Sequence, residues 1–274
     1  MTINCKGELI DLNDPKIMGI LNITPNSFFD GGKYKTDSAF LLQAEKMIKE
    51  GADFIDIGAY SSKPSAEFVS EEEEILRIVP IVEMLQREFP QTYLSIDTFR
   101  AGVAKATIEA GAALINDIAA GLLDNQMIEV ISQLQVPYIM MHMRGTPQTM
   151  QSLTSYEDLV KEMKMYFSER IAIAREAKIN DIIVDPGFGF AKTMEQNYEL
   201  MAKIELFSSF ELPILVGISR KSMIYKLLDS TPQEALNGTT VLNTIALQKG
   251  ANILRVHDVK EAVETRKIIK QLTI

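Results

Sequence analysis

Polar side chains recur in this sequence at the ends of short apolar segments. Asp185 follows the apolar run 182–184, and Pro186 and Gly187 then end the strand and begin a loop. A carboxylate at the end of a buried strand is costly without hydrogen-bond donors, so Asp185 is either a structural cap or part of a site. The recurrence of this arrangement along the chain favours a site. The residues at these positions are Asn22, Asp97, Asn116, His142, Arg144, Asp185, Lys221, Arg255 and His257, with Ser61, Ser62 and Lys63 in a loop.

The acidic and amide members of this set suit a flat heterocycle. Asp97, Asn116 and Asp185 supply hydrogen-bond acceptors and one amide donor. A buried carboxylate accepts two hydrogen bonds from a ligand that carries neighbouring amidine-like N–H groups. The sequence therefore predicts a pocket for a heterocycle, lined by these three side chains.

The basic members suit phosphate groups. Arg255 and His257 are two residues apart on one predicted strand, so their side chains point to the same face. Lys63 and Lys221 add positive charge. Asn22 is the candidate ligand for a hydrated Mg2+, an ion that keeps most of its waters and is bound mainly through substrate phosphates. The sequence shows no pattern typical of a Ser-His-Asp triad, a cysteine nucleophile or a Schiff-base lysine with its own base.

Short apolar strands alternate with helical segments along the whole chain. The eight predicted strands are 17–22, 54–58, 93–97, 113–117, 137–141, 182–185, 213–217 and 252–257. Their repeat of roughly 30 residues is the size of one βα unit, and continuous apolar strands indicate a parallel sheet covered on both faces. We therefore predict an α/β fold, a (β/α)8 TIM barrel that forms a single domain over residues 1–274. Residues 1–16 are expected to be a short N-terminal extension that caps the bottom of the barrel.

A doubly wound open sheet is the alternative architecture. It requires a glycine-rich turn after the first strand, whereas Gly19 lies inside that strand. In a barrel, the carboxyl ends of all strands open on one face, where active sites lie, and phosphate groups usually bind after the seventh and eighth strands. The barrel thus brings the polar strand ends into one site.

Local patterns also predict individual helices. Thr36 or Asp37 is expected to cap a helix over 38–50, because both residue types favour the N-cap position. The four glutamates 71–74 are expected to form a solvated first turn, where the helix dipole favours negative charge. A further helix is expected over 194–207.

The composition excludes several classes of protein and site. The net charge of −9 and the pI of about 4.9 argue against a nucleic-acid or acidic-membrane partner. The single cysteine, Cys5, excludes an internal disulfide, and two histidines are too few for a histidine-rich metal site. No apolar run reaches membrane length and no signal peptide opens the sequence, so we expect a cytoplasmic protein.

Seven segments of the chain, read in order, resemble the dihydropteroate synthase family, the folate-pathway enzymes that sulfonamides inhibit. They are 18–28 (MGILNITPNSF), 95–98 (SIDT), 115–117 (IND), 141–145 (MHMRG), 185–190 (DPGFGF), 219–222 (SRKS) and 255–257 (RVH). Each segment alone is a weak signal, but together they follow the family order from about residue 17 to the end of the chain. On these motifs the chain is identified as a member of this family of pterin-binding barrels.

The resemblance implies a reaction in folate biosynthesis. A (7,8-dihydropterin-6-yl)methyl diphosphate condenses with 4-aminobenzoate, and the products are 7,8-dihydropteroate and diphosphate. The resemblance also implies Mg2+ as the cofactor, small-molecule substrates and a homodimer.

Roles for individual residues follow from the same resemblance. The pterin is expected to contact Asp97, Asn116, Asp185, Lys221, Phe190, Gly217 and Met141. The diphosphate is expected to contact Asn22, Ser62, Lys63, Arg255 and His257, with Asn22 as the Mg2+ ligand. The 4-aminobenzoate pocket is expected to comprise Thr24, Pro25, Phe28, Ser62, Pro64, Phe190, Lys221 and Ser222. Catalysis is assigned to Asn22, Asp30, Lys63, Lys221, Arg255 and His257.

The chemistry of this reaction favours a dissociative mechanism. The amine of 4-aminobenzoate is a poor nucleophile, so activation of the electrophile matters more than a general base. Mg2+ and cationic side chains stabilise the charge on the departing diphosphate, and the electron-rich pterin spreads the positive charge left at its methylene. We therefore expect an SN1-like substitution, with the loops after the first two strands closing to exclude water.

Two loops depart from the family pattern. Where the family usually reads Glu-Ser-Thr-Arg-Pro-Gly, this chain has YSSKPS at 60–65. Lys63 keeps the positive charge but lacks the planar fork with which arginine binds a phosphate bidentately. In the first loop, Asn26 and Phe29 stand where the family usually has Asp and Ser. These departures concern the loops and the 4-aminobenzoate pocket more than the pterin pocket.

Three other functions stay open at this point. A pterin-dependent methyltransferase on the same barrel would share Asp97, Asn116 and Asp185, but its substrate carries no diphosphate for Arg255 and His257. A catalytically silent paralogue would bind a pterin without turnover, which the altered loops allow. An unrelated phosphosugar enzyme would not explain the buried acidic set.

Overall fold

The computed structural model describes residues 1–23, 33–60 and 69–272. The strands are β1 (Thr2–Cys5), β2 (Glu8–Asp11), β3 (Lys16–Asn22), β4 (Phe54–Gly58), β5 (Tyr93–Asp97), β6 (Leu114–Asp117), β7 (Tyr138–Met141), β8 (Ile182–Asp185), β9 (Leu215–Val216) and β10 (Ile253–Val256). The helices are α1 (Lys33–Glu50), α2 (Glu71–Glu88), α3 (Ala101–Glu109), α4 (Met127–Leu134), α5 (Leu159–Glu176), α6 (Met194–Ala202), α7 (Ser222–Tyr225), α8 (Leu236–Gln248) and α9 (Val259–Leu272).

Strands β3 to β10 form one parallel sheet that closes on itself. Its order is β8-β7-β6-β5-β4-β3-β10-β9, so consecutive strands pair from β3 to β8, and the last strand, β10, pairs with both β3 and β9. Between β8 and β9, at the two ends of this order, a parallel bridge between Val184 and Ile214 joins β8 to the residue that precedes β9. The predicted (β/α)8 barrel is confirmed, and a doubly wound open sheet is excluded because closure leaves no sheet edge.

The lower half of the barrel interior is apolar. Large side chains near the amino ends of the strands, among them Met18, Phe54 and Leu114, form one buried cluster. The antiparallel pair β1 and β2 lies against this end and contributes Ile3 and Leu12 to the same cluster. A second, larger cluster lies between the strands and the surrounding helices. Because apolar side chains fill the bottom of the barrel, polar chemistry is confined to the opposite end.

Two helix boundaries differ from their predictions. Helix α1 begins at Lys33 rather than at residue 38, since an N-cap contributes only about 1 kcal/mol and lysine is a good helix former that lets the helix extend further. Helix α6 ends at Ala202, and Ile204–Phe210 continues as a 3₁₀ helix, because Lys203 leaves the α-helical conformation with φ −119°. In the described residues, no helix is long and apolar enough to cross a membrane.

Candidate active site

The carboxyl ends of the barrel strands bring polar residues into register. Asp97 at the end of β5 pairs with Asn116 on β6, and Met141 at the end of β7 pairs with Asp185 on β8. Asn22 ends β3 and lies level with Gly58 on β4. A Cβ atom built at Gly58 would lie 3.7 Å from Asn22 Oδ1 and 3.8 Å from Asp97 Oδ2, so both side chains flank this glycine. The barrel thus gathers strand ends that are far apart in the sequence.

Arg255 is at the centre of a four-strand cluster in the mouth of the barrel. Its Nε donates to Asp56 Oδ2 at 2.6 Å, and its guanidinium donates to Asp97 Oδ2, also at 2.6 Å. Asp56 Oδ2 accepts a second hydrogen bond from Asn116 Nδ2 at 3.1 Å. The Asp56 side chain is completely buried, whereas that of Asp97 is 22% exposed. One arginine therefore ties together two carboxylates and, through Asp56, an amide.

Burial works against ionisation of the carboxylates in this cluster, and Arg255 opposes it only in part. Burial raises the pKa of Asp97 to about 7, although Arg255 lowers it, and the nearby carboxylate of Asp56 raises it further. Burial alone would lower the pKa of Arg255, but Asp56 and Asp97 together hold it above its usual value. The guanidinium stays charged, and it is the strongest influence that favours the ionised form of Asp97.

Asp185 and Lys221 form the second half of the mouth. Asp185 Oδ1 accepts a hydrogen bond from the Gly187 amide at 2.7 Å, which fixes the start of the following loop. Burial raises the pKa of Asp185, while Lys221 is the strongest influence that lowers it. Lys221 donates to the Phe188 carbonyl, and its Nζ lies 4.8 Å from the centre of the Phe190 ring. Burial lowers the pKa of Lys221 to about 8.

His257 lies directly after the last barrel strand. Its Nδ1 and its backbone amide both lie 3.1 Å from Ser219 Oγ, so the ring is held against the loop after β9. Burial of the ring lowers the pKa of His257, and Arg255 lowers it as well. The residue is nonetheless open to solvent, so its role at the diphosphate stays a prediction. It can still donate a hydrogen bond to an anion.

His142 and Arg144 are engaged in contacts inside the protein. His142 is 2% exposed and lies among aromatic rings, 4.9 Å from that of Tyr166. Arg144 stacks on the Tyr156 ring at 3.7 Å and forms an ion pair with Glu162. Neighbouring helices thus supply partners that the sequence pattern does not reveal, and a contact of either side chain with a ligand stays a prediction.

The glutamate run at the start of α2 is only partly solvated. Glu74 is completely buried and accepts hydrogen bonds from Thr98 and Arg100. Glu71 accepts a hydrogen bond from the Gly102 amide at 2.8 Å. The predicted solvated turn is wrong at these two positions because the loop after β5 and the start of α3 pack against the start of α2.

The structure places the remaining described candidates around the same mouth. Met141 is buried at the end of β7, and Phe190 packs in a small apolar cluster with it. A Cβ atom at Gly217 would lie 3.7 Å from Arg255 Cβ, so this glycine borders the arginine. Ser222 is the first residue of α7 and follows Lys221, which is the N-cap. Eight further candidates lie outside the described residues, namely Thr24, Pro25, Phe28, Asp30, Ser61, Ser62, Lys63 and Pro64.

The donor set fits Mg2+ only as a weakly held ion. Among residues 1–23, 33–60 and 69–272, no group of three or more His, Cys, Asp or Glu side chains could hold a metal. Asn22 supplies one neutral amide oxygen at an exposed strand end. Such a site suits an ion that keeps its waters and takes its remaining ligands from a substrate phosphate.

Sequence reasoning missed two residues of the site, Asp56 and Lys192. Asp56 lies in the middle of an apolar strand, and a carboxylate at such a position was itself a signal, because burying it requires a partner. Lys192 is 8% exposed and bonds to His142 and to the loop after β8. No sequence signal could have identified it, since two of its partners are backbone carbonyls and the third, His142, lies 50 residues away in the chain.

Comparisons of the sequence with known proteins point to one family. A family model described as pterin binding enzyme matches residues 18–257. The chain is 42% identical over 272 residues to the dihydropteroate synthase of Escherichia coli K12, covering 98% of this chain and 96% of that protein. It is 44% identical over 259 residues to that of Synechocystis sp., covering 93% and 89%.

Solved structures give the same result. The Yersinia pestis dihydropteroate synthase with a sulfonamide drug complex superposes with a TM-score of 0.93 at 42% identity, covering 99% of both chains. The Xanthomonas albilineans dihydropteroate synthase with 4-aminobenzoic acid superposes with a TM-score of 0.92 at 35% identity, covering 99% of this chain and 97% of that one.

Proposed function

Because the chain belongs to the dihydropteroate synthase family of pterin-binding enzymes, we propose that it condenses a dihydropterin diphosphate with 4-aminobenzoate. The electrophile is (7,8-dihydropterin-6-yl)methyl diphosphate, and the products are 7,8-dihydropteroate and diphosphate. The observation that carries the proposal is the cluster of Asp56, Asp97, Asn116 and Arg255, which lies in the same barrel mouth as Asp185.

Hydrogen bonds inside the cluster determine which atoms remain for a pterin. Asn116 Nδ2 donates to Asp56, so its Oδ1 is the atom left to accept from a ligand. Asp185 uses Oδ1 for the Gly187 amide, and in the described residues no hydrogen bond uses its Oδ2. Asp97 likewise keeps Oδ1 beside the Oδ2 that Arg255 binds. A row of acceptors suits the amino and ring N–H groups of a pterin.

The diphosphate end of the substrate requires positive charge and hydrogen-bond donors. Arg255 is cationic, Lys221 is cationic below about pH 8, and His257 contributes a ring N–H. Lys63 joins them by resemblance to the family. Mg2+, held by Asn22 and by substrate oxygens, would stabilise negative charge on the departing diphosphate. These groups together favour loss of the leaving group rather than deprotonation of the amine.

We infer an SN1-like substitution at the pterin methylene. The C–O bond to diphosphate breaks first, and Asp97 and Asp185 stabilise the positive charge that spreads into the pterin ring. The 4-aminobenzoate amine then attacks the methylene carbon and loses its proton. A secondary deuterium isotope effect at the methylene clearly above unity is expected, and a value near unity would contradict the dissociative step.

The second substrate is expected beside the loop that follows β8. Phe190 supplies an apolar wall, Lys221 lies over its ring, and Ser222 offers a hydroxyl and an amide at the start of α7. The Xanthomonas albilineans relative was solved with 4-aminobenzoic acid, and the Yersinia pestis relative with a sulfonamide drug complex. We propose that this chain binds both classes of ligand here. By family resemblance, we also propose that it is a cytoplasmic homodimer.

The deciding experiment measures diphosphate release by the purified protein with Mg2+ and the pterin diphosphate. The assay is run with and without 4-aminobenzoate, and dihydropteroate is detected by chromatography. Release that depends on 4-aminobenzoate, together with dihydropteroate, is expected. Pterin binding without turnover would identify a silent paralogue, and methyl transfer from a methyltetrahydrofolate would identify a methyltransferase. Absence of pterin binding would contradict the roles of Asp97, Asn116 and Asp185.

A further inference from the structure

Lys192 is a buried lysine whose donors are all engaged. Its Nζ donates to the carbonyl oxygens of Gly187 at 2.9 Å and Phe190 at 3.0 Å. It also lies 3.1 Å from His142 Nδ1. A lysine ammonium has three N–H donors, so these partners account for every one of them. The cost of burying the charge is therefore partly offset by contacts to a single loop and to the residue that follows β7.

The loop that Lys192 binds, residues 186–191, has an uncommon backbone. Gly187, Gly189 and Ala191 have φ values of 68°, 82° and 49°, in the left-handed region. Glycine adopts such φ values freely, whereas the left-handed conformation of Ala191 persists only where the surroundings impose it. The inward carbonyls of the loop bond to Lys192, whereas that of Phe188 turns to the mouth and accepts from Lys221. The two bonds to Lys192 thus occur together with the backbone conformation that directs the Phe188 carbonyl towards Lys221.

The same loop joins the two halves of the mouth. It begins directly after Asp185, whose Oδ1 accepts from the Gly187 amide. It also carries Phe190, whose ring packs against Lys221. The positive charge of Lys192 is one of the influences that lower the pKa of Asp185 against burial. A change at Lys192 is therefore transmitted to groups that face both predicted substrates.

We propose that Lys192 is a positioning residue that holds the β8–α6 loop, and thereby Asp185, Phe190 and Lys221, in the geometry that binds both substrates. Lys192 touches neither substrate and moves no proton in the reaction. This role rests on the proposed function for the identity of the two ligands. The role differs from a purely stabilising one because it predicts altered ligand affinity in protein that is fully folded.

The test compares Lys192→Met with Lys249→Met. Lys249 also bonds a backbone carbonyl, that of Ala202, and a carboxylate, that of Glu205, both at 2.8 Å, but it follows α8 and is remote from the mouth. Dissociation constants for 6-hydroxymethyl-7,8-dihydropterin and for 4-aminobenzoate are measured by calorimetry. Lys192→Met is expected to raise both dissociation constants by about tenfold, the effect of losing roughly one charged hydrogen bond. Lys249→Met is expected to leave both within about twofold.

Hydrogen exchange gives a readout that does not depend on a ligand. The amides of Gly187 and Phe190 are expected to exchange faster in Lys192→Met, while those of β5 and β6 remain as protected as in the unaltered protein. Unchanged affinities with a lowered melting temperature would overturn the proposal, as would unchanged exchange in the loop. If Lys192→Met does not fold, Tyr156→Phe replaces it, since the Tyr156 hydroxyl donates to the Ala191 carbonyl of the same loop at 2.8 Å. Tyr156→Phe is expected to weaken the binding of both ligands by less than Lys192→Met, and unchanged affinities would count against the proposal.

Failure of the proposed function would be recognised separately. Unaltered protein that binds the pterin but forms no dihydropteroate would overturn the synthase reaction, and the affinity comparison would still decide the role of Lys192. Unaltered protein that binds neither ligand would overturn the pterin site and the substrate-binding part of this proposal. Hydrogen exchange would then decide whether Lys192 holds the loop.

Discussion

Asp56 is the side chain of the mouth on which neighbouring groups converge. Its Oδ2 accepts from both Arg255 and Asn116, so one oxygen fixes a guanidinium and the orientation of an amide. Its position in the middle of β4 leaves it without exposure to solvent. A buried ion pair of this kind contributes little net stability, but removing one partner leaves the other charge uncompensated. Asp56 therefore acts on ligand binding through Arg255 and Asn116.

We predict that Asp56→Asn weakens pterin binding by about tenfold to a hundredfold, because Arg255 loses one carboxylate and the amide of Asn116 is no longer fixed. Calorimetry with 6-hydroxymethyl-7,8-dihydropterin measures the change. The matched control is Asp53→Asn. Asp53 lies just before the amino end of β4, opposite the mouth of the barrel. Its carboxylate accepts a hydrogen bond from Arg266 at 2.6 Å. This control is expected to lower stability and leave pterin affinity unchanged. Equal effects of the two substitutions would contradict the role of Asp56.

Lys221 provides a prediction about pH. Burial lowers its pKa to about 8, Asp185 opposes this effect, and Arg255 adds to it. The side chain is charged below this pH and loses its charge above it, so kcat/KM for the pterin diphosphate is expected to fall as the pH rises through about 8. Because kcat/KM reports pKa values of the unliganded enzyme, this is the parameter to measure.

The substitution Lys221→Arg tests that assignment, since a guanidinium stays charged throughout the range. The alkaline decline is expected to move up by about one pH unit or more, at a lower overall kcat/KM. Burial also lowers the pKa of Lys192, to about 7, so a residual decline can arise from that residue. An unchanged decline near pH 8 in Lys221→Arg would show that Lys221 is not its source.

Sequence reasoning at the residue scale identified the polar strand ends but not their partners. Asp97, Asn116, Asp185 and Arg255 were predictable because the carboxyl ends of barrel strands open on the mouth, where polar side chains gather. The engagement of His142 was not predictable, because its partners come from distant helices and a loop. The sequence places a residue on a strand or helix, whereas neighbouring elements determine which groups its side chain contacts.

Strands were the easiest elements to predict, and helix ends the hardest. Strands β4 and β5 have the predicted bounds, since a continuous apolar run in a barrel strand ends where solvent begins. The predicted start of α1 and the predicted end of α6 were wrong, because small free-energy differences decide where a helix ends. The site depends little on this difference, since most of its described residues lie on strands or directly after them.

The β8–α6 loop provides the prediction at the element scale. A Cβ atom at Gly187 would lie 2.2 Å from the His142 carbonyl oxygen, in addition to the strain of a positive φ. At Gly7, in the β1–β2 turn, φ is also positive but nothing lies within 4 Å. We expect Gly7→Ala to lower the free energy of unfolding by about 1 kcal/mol, the effect of the left-handed backbone alone.

Gly187→Ala is expected to lower the free energy of unfolding by about 1–3 kcal/mol more than Gly7→Ala does, because the added methyl also collides with backbone that cannot move away. It is also expected to weaken pterin binding through the displaced Asp185. Urea denaturation of the two variants measures the first effect, and calorimetry measures the second. Equal losses of stability would indicate that the contact with His142 relaxes easily.

At the scale of the whole molecule, the barrel separates stability from chemistry. Its lower interior is filled by apolar side chains and covered by β1 and β2, while buried charges are concentrated in its upper half. Buried charges are tolerated there because their hydrogen bonds are made mainly to groups of opposite charge or to the backbone, and because the apolar lower half stabilises the fold independently of them. Substitutions at the bottom should therefore change stability without changing ligand affinity.

Leu12 and Leu9 test this separation within one hairpin. Leu12 is completely buried in the cluster that fills the bottom of the barrel, whereas Leu9 on β2 is 73% exposed. Leu12→Ala is expected to lower the free energy of unfolding in urea by about 2–5 kcal/mol, because it removes buried methyl groups and leaves a cavity. Leu9→Ala is expected to stay within about 0.5 kcal/mol of the unaltered protein. Both variants should bind the pterin with unchanged affinity, since the mouth lies at the opposite ends of the strands. A loss of affinity in Leu12→Ala at a temperature where it is fully folded would show that packing at the bottom of the barrel is coupled to the site, through the strands that carry Asp56 and Arg255.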